Sequence, residues 1–177
     1  MTCEIVFREL EKTSHDRETF DCGENELNDF LKTKALRHMK TGVSRTLVLP
    51  STDRNETGKY PICAFFTVAP SAVEREAFSE REAKRLPKYP IPVFLIAQLA
   101  VHQEKRGEGL GKITLIKAIE YLWNVNTYMR AYAIVVDCLT ESARPFYEKY
   151  GFQSLGTYHD HERMFLPMNT VGKLFKT

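Results

Sequence analysis

The residues most able to do chemistry lie together in the run Arg106-Gly107-Glu108-Gly109-Leu110-Gly111-Lys112. Glycines carry no side chain, so successive backbone N–H groups can converge on one concave point. A helix starting directly after such a turn adds unpaired N–H groups and the positive end of its dipole. With Arg106 and Lys112 at its flanks, this arrangement suits an anion, most naturally a pyrophosphate. The same residues could also form a ligand-free turn between a strand and a helix. A Walker loop would need four residues between its first Gly and its Gly-Lys, followed by Ser or Thr. Here three residues separate Gly107 from Gly111, and Ile113 stands where the hydroxyl would be. A dinucleotide fingerprint needs G-x-G-x-x-G and a well-spaced acidic ribose ligand; this loop reads G-x-G-x-G, and Glu120 and Asp137 fit that role poorly. What remains is R-x-x-G-x-G, supplied by Arg106, Gly109 and Gly111.

Other chemistries find less support. Cys3, Cys22, Cys63 and Cys138 show neither metal spacing nor C-x-x-C, so no metal site is expected and reduced thiols fit better than a disulfide scaffold. His159 and His161 are neighbours without further ligands and read as surface loop residues. The net charge of +2 is too small to demand a nucleic-acid partner by itself. Lys34, Arg37 and Lys40 nevertheless fall on one side of a helix at steps of three, with no acidic residue from Phe30 to Thr52. That stripe is either a solvated face or a contact for a polyanion. Arg81, Lys84, Arg85 and Lys88 form a second basic cluster, diluted by Glu74, Glu76, Glu80 and Glu82. No run reaches the roughly 18 apolar residues of a membrane span, and the N-terminus lacks a basic-then-apolar signal segment. A cytoplasmic protein with no membrane partner is expected.

The elements that must position the glycine turn are readable on both sides of it. Val93 to Val101 is an apolar run broken by Gln98, as in a strand buried on both faces. Leu115, Ala118, Ile119 and Leu122 recur with helical period after the turn, in a helix ending near Trp123. Upstream, Cys3 to Leu10 reads as a first strand with Ile5 and Phe7 on one face. A helix begins near Glu24 with Leu27, Leu31, Ala35 and Met39 inward, and Gly42 is its stop. Thr46 to Leu49 and Ile62 to Val68 read as strands, the latter ended by Pro70. Ser71 to Lys88 is helical or mixed, and Pro87, Pro90 and Pro92 stiffen the lead into the central strand. Ala131 to Leu139 is another buried strand. A short helix follows with Pro145 in its first turn and Gly151 at its end. Phe152 to Tyr158 and Arg163 to Pro167 pair across the tip from His159 to Glu162. The chain's 177 residues suit one domain with a real core.

The helix after the second buried strand carries A-x-x-F-Y-x-x-x-G-F, by Ala143, Phe146, Tyr147, Gly151 and Phe152. The order of strand, R-x-x-G-x-G, helix, strand and this motif resembles the GCN5-related N-acetyltransferases over most of the chain. Phe20-Asp21-Cys22-Gly23, Leu27, Phe30-Leu31, Thr46-Leu47-Val48, Pro90-Ile91-Pro92 and Leu99-Ala100-Val101 further resemble the acetyltransferase toxins of bacterial toxin–antitoxin pairs. That subgroup usually carries Arg-Leu-Ala-Val-Asp at the end of the central strand. Here the residues are Gln98-Leu99-Ala100-Val101-His102, so a guanidinium and a carboxylate are absent together.

The resemblance implies one α/β domain over residues 1–177, with a mixed, mostly antiparallel central sheet flanked by helices. Two neighbouring parallel strands would splay to hold acetyl-coenzyme A. It implies cofactor contacts from Leu99, Ala100, Val101, Arg106, Gly107, Glu108, Gly109, Leu110, Gly111, Lys112 and Phe146. A backbone N–H of Leu99 or Ala100 would polarise the thioester carbonyl. Tyr147 would protonate the leaving thiolate, its alternative being a packing role like that of Phe146. His102, Glu104 or a water could serve as base. The implied acceptor is the amino group of an aminoacyl-tRNA, met by Lys34, Arg37 and Lys40, and the implied partner is a ribbon-helix-helix antitoxin. Homodimers are common in the subgroup. A small amine, a polyamine or a protein N-terminus is the alternative acceptor. A non-catalytic coenzyme A binder or a nucleic-acid-binding module is the alternative class.

Overall fold

The computed structural model describes residues 1–175. Its first half contains β1 (Arg8–Glu9), β2 (His15–Asp16), α1 (Asn25–Asp29), α2 (Ala35–Thr41), β3 (Arg45–Pro50), β4 (Tyr60–Val73) and α3 (Glu80–Ala83). Its second half contains β5 (Ile91–Val101), α4 (Leu110–Val125), β6 (Ala133–Cys138), α5 (Ala143–Lys149), β7 (Gln153–Tyr158), β8 (His161–Pro167) and α6 (Met168–Phe175). Strand hydrogen bonding follows the order β1-β3-β4-β5-β6-β8-β7, with β2 beside β4. The β5–β6 pair is parallel, whereas β1–β3, β3–β4, β6–β8 and β7–β8 are antiparallel. This is the expected mixed α/β fold, with a mostly antiparallel sheet, a parallel β5–β6 pair at the central strand and the short β2 parallel to β4.

The chain forms two compact units, and β4, β5 and α4 each run from one into the other. The first unit holds residues up to Ala69 together with Ala97–Ala118. β3 pairs with β4 from Arg45↔Val68 to Pro50↔Ile62, and a register shift leaves Cys63 as the extra residue. Phe65 anchors the interior here, with Phe20 edge-on at 5.3 Å and Phe30 stacked at 6.5 Å. Thr46 and Thr67 place two hydroxyls at zero exposure, and they satisfy each other at 2.7 Å.

The second unit holds Pro70–Ile96 and the chain from Ile119 on. The parallel ladder runs from Val93↔Ala133 to Ile96↔Val136, and β6 then pairs with β8 from Ala133↔Pro167 to Cys138↔Glu162. One side of these strands packs Val93, Val135 and Phe165 with Phe78, Ile91 and Leu155. Phe78 meets Phe165 edge-on at 5.4 Å.

Several sequence expectations need correction. The first strand shrinks to Arg8–Glu9, because the chain turns at Val6, whose N–H donates to the Glu4 carbonyl at 2.7 Å. Ile5 is left exposed, while Phe7 packs on Phe66 at 5.3 Å. Pro70 does not end β4, which continues to Val73. The β3 ladder stops at Val68, so the missing Pro70 N–H breaks no bond to β3. The first helix is interrupted by a π-helical turn, Phe30–Lys34, before α2 ends at Gly42 with φ +82°. Leu27, Leu31 and Ala35 still face inward, joined by Phe30, and Met39 is half-buried. Residues 71–88 split into the end of β4, a 3-10 turn and the one-turn α3. The β7–β8 hairpin is tighter than expected, since β8 begins at His161. His159 and Asp160 fill a two-residue turn with φ of +47° and +65°.

Candidate active site

β5 delivers the chain to the glycine turn within the first unit. Its last residues are only half-buried from Ala97 to Leu99, in contrast to the fully buried strand the apolar run predicts. A short 3-10 turn, Gln103–Lys105, follows. Gly107 and Gly109 then adopt φ of +81° and +75°, which L residues rarely enter. A Cβ at either position would meet nothing within 4 Å, so these glycines serve backbone shape and leave the concavity open. Ile113 N–H donates to the Gly109 carbonyl, which makes Gly109 the residue that opens α4. The N–H groups of Leu110, Gly111 and Lys112 therefore lie in the first turn, without partners from a preceding turn. Gly111 is helical rather than part of the turn. α4 has 16 residues, and its dipole puts positive potential at this point.

The two cations of the loop are not equivalent. Lys112 is exposed on the first turn of α4. Arg106 instead reaches back, and its Nη2 donates to the Cys22 carbonyl. Its role in the structure is to fasten the turn to the Phe20–Gly23 segment, a role the loop spacing alone did not suggest. Lys105, which lies outside the R-x-x-G-x-G motif, donates from Nζ to the Met1 carbonyl and to Glu108 Oε1, both at 3.0 Å. Glu108 thus points its carboxylate at Lys105.

The Phe20-Asp21-Cys22-Gly23 segment and the end of β5 form one network. Asp21 Oδ1 accepts the Gly23 N–H and the Asn28 side chain, at 2.8 and 2.9 Å. Asn28 Oδ1 accepts the Cys22 N–H at 2.9 Å. Gln103 meets Asp21 twice, through its backbone N–H at 2.9 Å and its side chain at 3.0 Å. The donors around Asp21, the Gly23 N–H first, hold its carboxyl below the usual carboxylate range.

His102 lies inside this network. Its Nδ1 accepts the Glu104 N–H at 3.1 Å, capping the 3-10 turn, and its Nε2 faces the Thr19 carbonyl at 3.4 Å. Phe20 stands edge-on to the ring at 5.6 Å. With Nδ1 accepting, Nε2 is the nitrogen left to donate toward the Thr19 carbonyl. Both nitrogens have partners, so the structure gives His102 a capping role. An aspartate could accept the same Glu104 N–H. Gln98 has a buried Oε1 without a hydrogen-bond partner among the described residues.

Tyr147 belongs to the second unit, on α5. It is 9% exposed, with Phe146 stacked at 5.3 Å and Phe152 tilted at 5.4 Å. Gly151, with φ +95°, ends the helix and lets the Phe152 N–H return to the Tyr147 carbonyl at 3.2 Å. Burial pushes the phenol's pKa up, and Cys138 and Asp137 add to the shift. Tyr147 therefore stays protonated through the neutral range, as a proton donor must. Asp137 is itself held by Arg163 in a forked pair at 2.7 and 3.0 Å.

Two basic surfaces complete the inventory. Lys34, Arg37 and Lys40 are exposed in the first unit, and Lys34 pairs with Asp29 at 3.7 Å. In the second unit Arg81 and Arg85 do not stand alone. With Arg130, Trp123 and Tyr132 they line a cleft of about 890 Å³. Arg130 and Trp123 lie far along the chain, so no local pattern could have joined them to that cluster.

Residues 71–154 match the model of the acetyltransferase (GNAT) domain family. A tRNA-acetylating toxin of Mycobacterium tuberculosis (strain ATCC 25618 / H37Rv) is 30% identical over 138 residues, covering 78% of each chain. Among solved structures, AtaT complexed with acetyl-methionyl-tRNAfMet superposes with a TM-score of 0.85 at 25% identity, covering 97% of this chain and 99% of that one. AtaTR bound with acetyl-CoA does so with a TM-score of 0.82 at 26% identity, covering 97% and 98%.

Proposed function

The chain belongs to the GNAT acetyltransferase family, and on that premise we propose that it moves an acetyl group from acetyl-CoA to the amino group of an aminoacyl-tRNA, blocking translation as a toxin. The observation that carries the reading is the turn at Gly107 and Gly109 feeding the N-terminus of α4. The relative in M. tuberculosis supplies the acceptor class. In this reading residues 1–177 are a single acetyltransferase domain.

The mechanism is direct attack by a neutral amine on the thioester, with no covalent enzyme intermediate. The N–H groups from Gly107 to Lys112 hold the pyrophosphate of the donor, with the first turn of α4 contributing its dipole. The N–H of Leu99 or Ala100 takes the developing oxyanion. Val101 and Phe146 line the pantetheine. The attacking nitrogen gives up its extra proton to water, and as the tetrahedral intermediate collapses the thiolate leaves and Tyr147 donates its phenolic proton to sulfur. Tyr147 Oη then recovers a proton from solvent. An α-amino group has a pKa near 8, so about a fifth of it is neutral at physiological pH, against about a thousandth of a lysine. That acceptor needs little help from a base, in keeping with a capped His102. Lys34, Arg37 and Lys40 supply phosphate contacts. A ribbon-helix-helix antitoxin is the protein partner, a homodimer is the working state, and the compartment is the cytoplasm. No helix among the described residues is long and apolar enough to cross a membrane.

A donor titration tests the cofactor half of this reading. Acetyl-CoA binds saturably to the wild type, inorganic pyrophosphate competes with it, and Gly109→Val weakens it at least tenfold by filling the open concavity. Equal affinity in the variant would remove the loop from donor binding.

A further inference from the structure

Two thiols outside the catalytic scheme meet beside the glycine turn. Cys63 is the extra residue in the β3–β4 ladder and is fully buried. It forms a cluster with Leu49, Ala64 and Leu110, and Cys3 packs against that cluster. Cys3 is half-buried rather than sealed, and both thiols are free. Among its titratable neighbours, Cys3 acts most strongly on the Cys63 thiol. The Lys105 ammonium acts electrostatically on both sulfurs. The N-terminal segment is already held in place: Thr52 N–H donates to the Thr2 carbonyl at 2.8 Å, and Lys105 holds the Met1 carbonyl. The Cys63 carbonyl in turn accepts the His102 N–H at 2.8 Å, so this strand position is fixed from the other side.

We propose that Cys3 and Cys63 form an oxidation site, closing to a disulfide that fastens the N-terminal segment beneath the cofactor turn. The co-reactant is a hydroperoxide. Cys3, the more accessible thiol and close to Lys105, attacks a peroxide oxygen as thiolate; the O–O bond breaks, leaving a sulfenic acid and one water after protonation. Cys63 then attacks the Cys3 sulfur, the S–O bond breaks, and a second water leaves with the proton released by Cys63. Two thiols and one hydrogen peroxide thus give one disulfide and two waters, with sulfur oxidised and peroxide oxygen reduced. Burial and the neighbouring Cys3 raise the Cys63 thiol to about 12. The first attack falls to Cys3 as the more accessible of the two thiols, and Cys63 resolves the sulfenic acid. Cys22 lies in the Asp21 network, with its thiol facing the Glu24 carbonyl, and Cys138 lies in the other unit. This site is independent of the acceptor and of the donor chemistry.

The test is peroxide titration of the full chain, followed by alkylation and peptide mapping under non-reducing conditions. Oxidation removes two of the four alkylatable thiols and yields one cross-linked peptide pair joining Cys3 to Cys63. Dithiothreitol restores all four thiols. Hydrogen exchange across the first residues and across Lys105 to Lys112 slows in the oxidised form. Cys3→Ser, at a half-buried site, keeps the fold and abolishes the cross-link. A Cys3 sulfinic acid with Cys63 still alkylatable, or a cross-link through Cys22 or Cys138, would overturn the proposal. So would a Cys3–Cys63 cross-link that leaves hydrogen exchange unchanged.

Discussion

Gly23 and Arg106 offer a direct probe of how the glycine turn is held. Gly23 sits at φ +86°, and a Cβ built there would lie 2.8 Å from Arg106 Nη2. Gly23→Ala therefore carries two costs. The left-handed conformation costs roughly 1–2 kcal/mol for a residue with a Cβ. The guanidinium must also move off the Cys22 carbonyl, and a hydrogen bond to a charged group is worth about 1.5–3 kcal/mol. Arg106 is largely exposed, so the lower end applies, giving a total near 3 kcal/mol. Arg106→Ala alone should lose about 1.5 kcal/mol by the same bond. Once Arg106 is truncated, Gly23→Ala has nothing to displace, and only the backbone strain remains. The double variant should therefore be destabilised by about 3 kcal/mol, not the roughly 4.5 kcal/mol of additive effects. Urea unfolding of all four proteins measures this coupling, and acetyl-CoA titration of the same set should show weaker binding wherever Arg106 is displaced. Strict additivity would refute the tie between the turn and the Phe20–Gly23 segment.

The remaining expectations address separate parts of the chain. Burial lowers the His15 pKa below its ordinary value near 6.5, Arg8 adding slightly and Glu11 opposing. The unfolded chain thus binds the proton more readily, so stability is complete above about pH 6.5 and falls as pH drops through the folded value; thermal unfolding from pH 8 to 5 should show this loss, and His15→Gln should flatten it. Asp137→Asn leaves Arg163 without its forked partner at a position 9% exposed, and should cost on the order of 2–4 kcal/mol in denaturant unfolding. Lys34→Ala with Arg37→Ala should leave stability within about 0.5 kcal/mol. If those residues meet phosphates, the double variant should reduce the slope of log affinity for tRNA against log salt by about 1.5–2; an unchanged slope would move the contact elsewhere, with the cleft at Arg81, Arg85 and Arg130 the next surface to examine.

What could be read from the sequence was whatever depends on local backbone need or strict periodicity. Gly107, Gly109 and Gly151 were recognisable because their positions demand φ values that other residues resist, and all three have them. Leu115, Ala118, Ile119 and Leu122 announced α4 by period, and each is buried. The same reasoning failed where tertiary partners decide. Cys3 to Leu10 alternates weakly, yet only Arg8 and Glu9 find a strand partner. Pro70 looked like a stop because its freedom from the β3 ladder is not a local property. The π-helical turn at Phe30–Lys34 leaves no mark in a pattern of four-residue steps, and α6 went unseen as a short amphipathic end of the chain. At the site, Arg106 and His102 adjoin the turn in sequence, but their remote partners, the carbonyls of Cys22 and Thr19, could not be read there. A carbonyl acceptor contributed from far along the chain leaves no signature in side-chain spacing.

The most direct test of the central claim is transfer of labelled acetyl from acetyl-CoA to a bulk aminoacyl-tRNA pool, with Tyr147→Phe measured beside the wild type. The phenyl ring keeps the packing between Phe146 and Phe152, so the variant should fold and bind donor normally. Loss of a general acid should slow transfer by about 10²-fold or more. Labelled aminoacyl-tRNA with the wild type and that loss in the variant is the predicted result. Labelling of polyamines or peptides but not of tRNA would contradict the acceptor assignment, and undiminished transfer by Tyr147→Phe would contradict the mechanism.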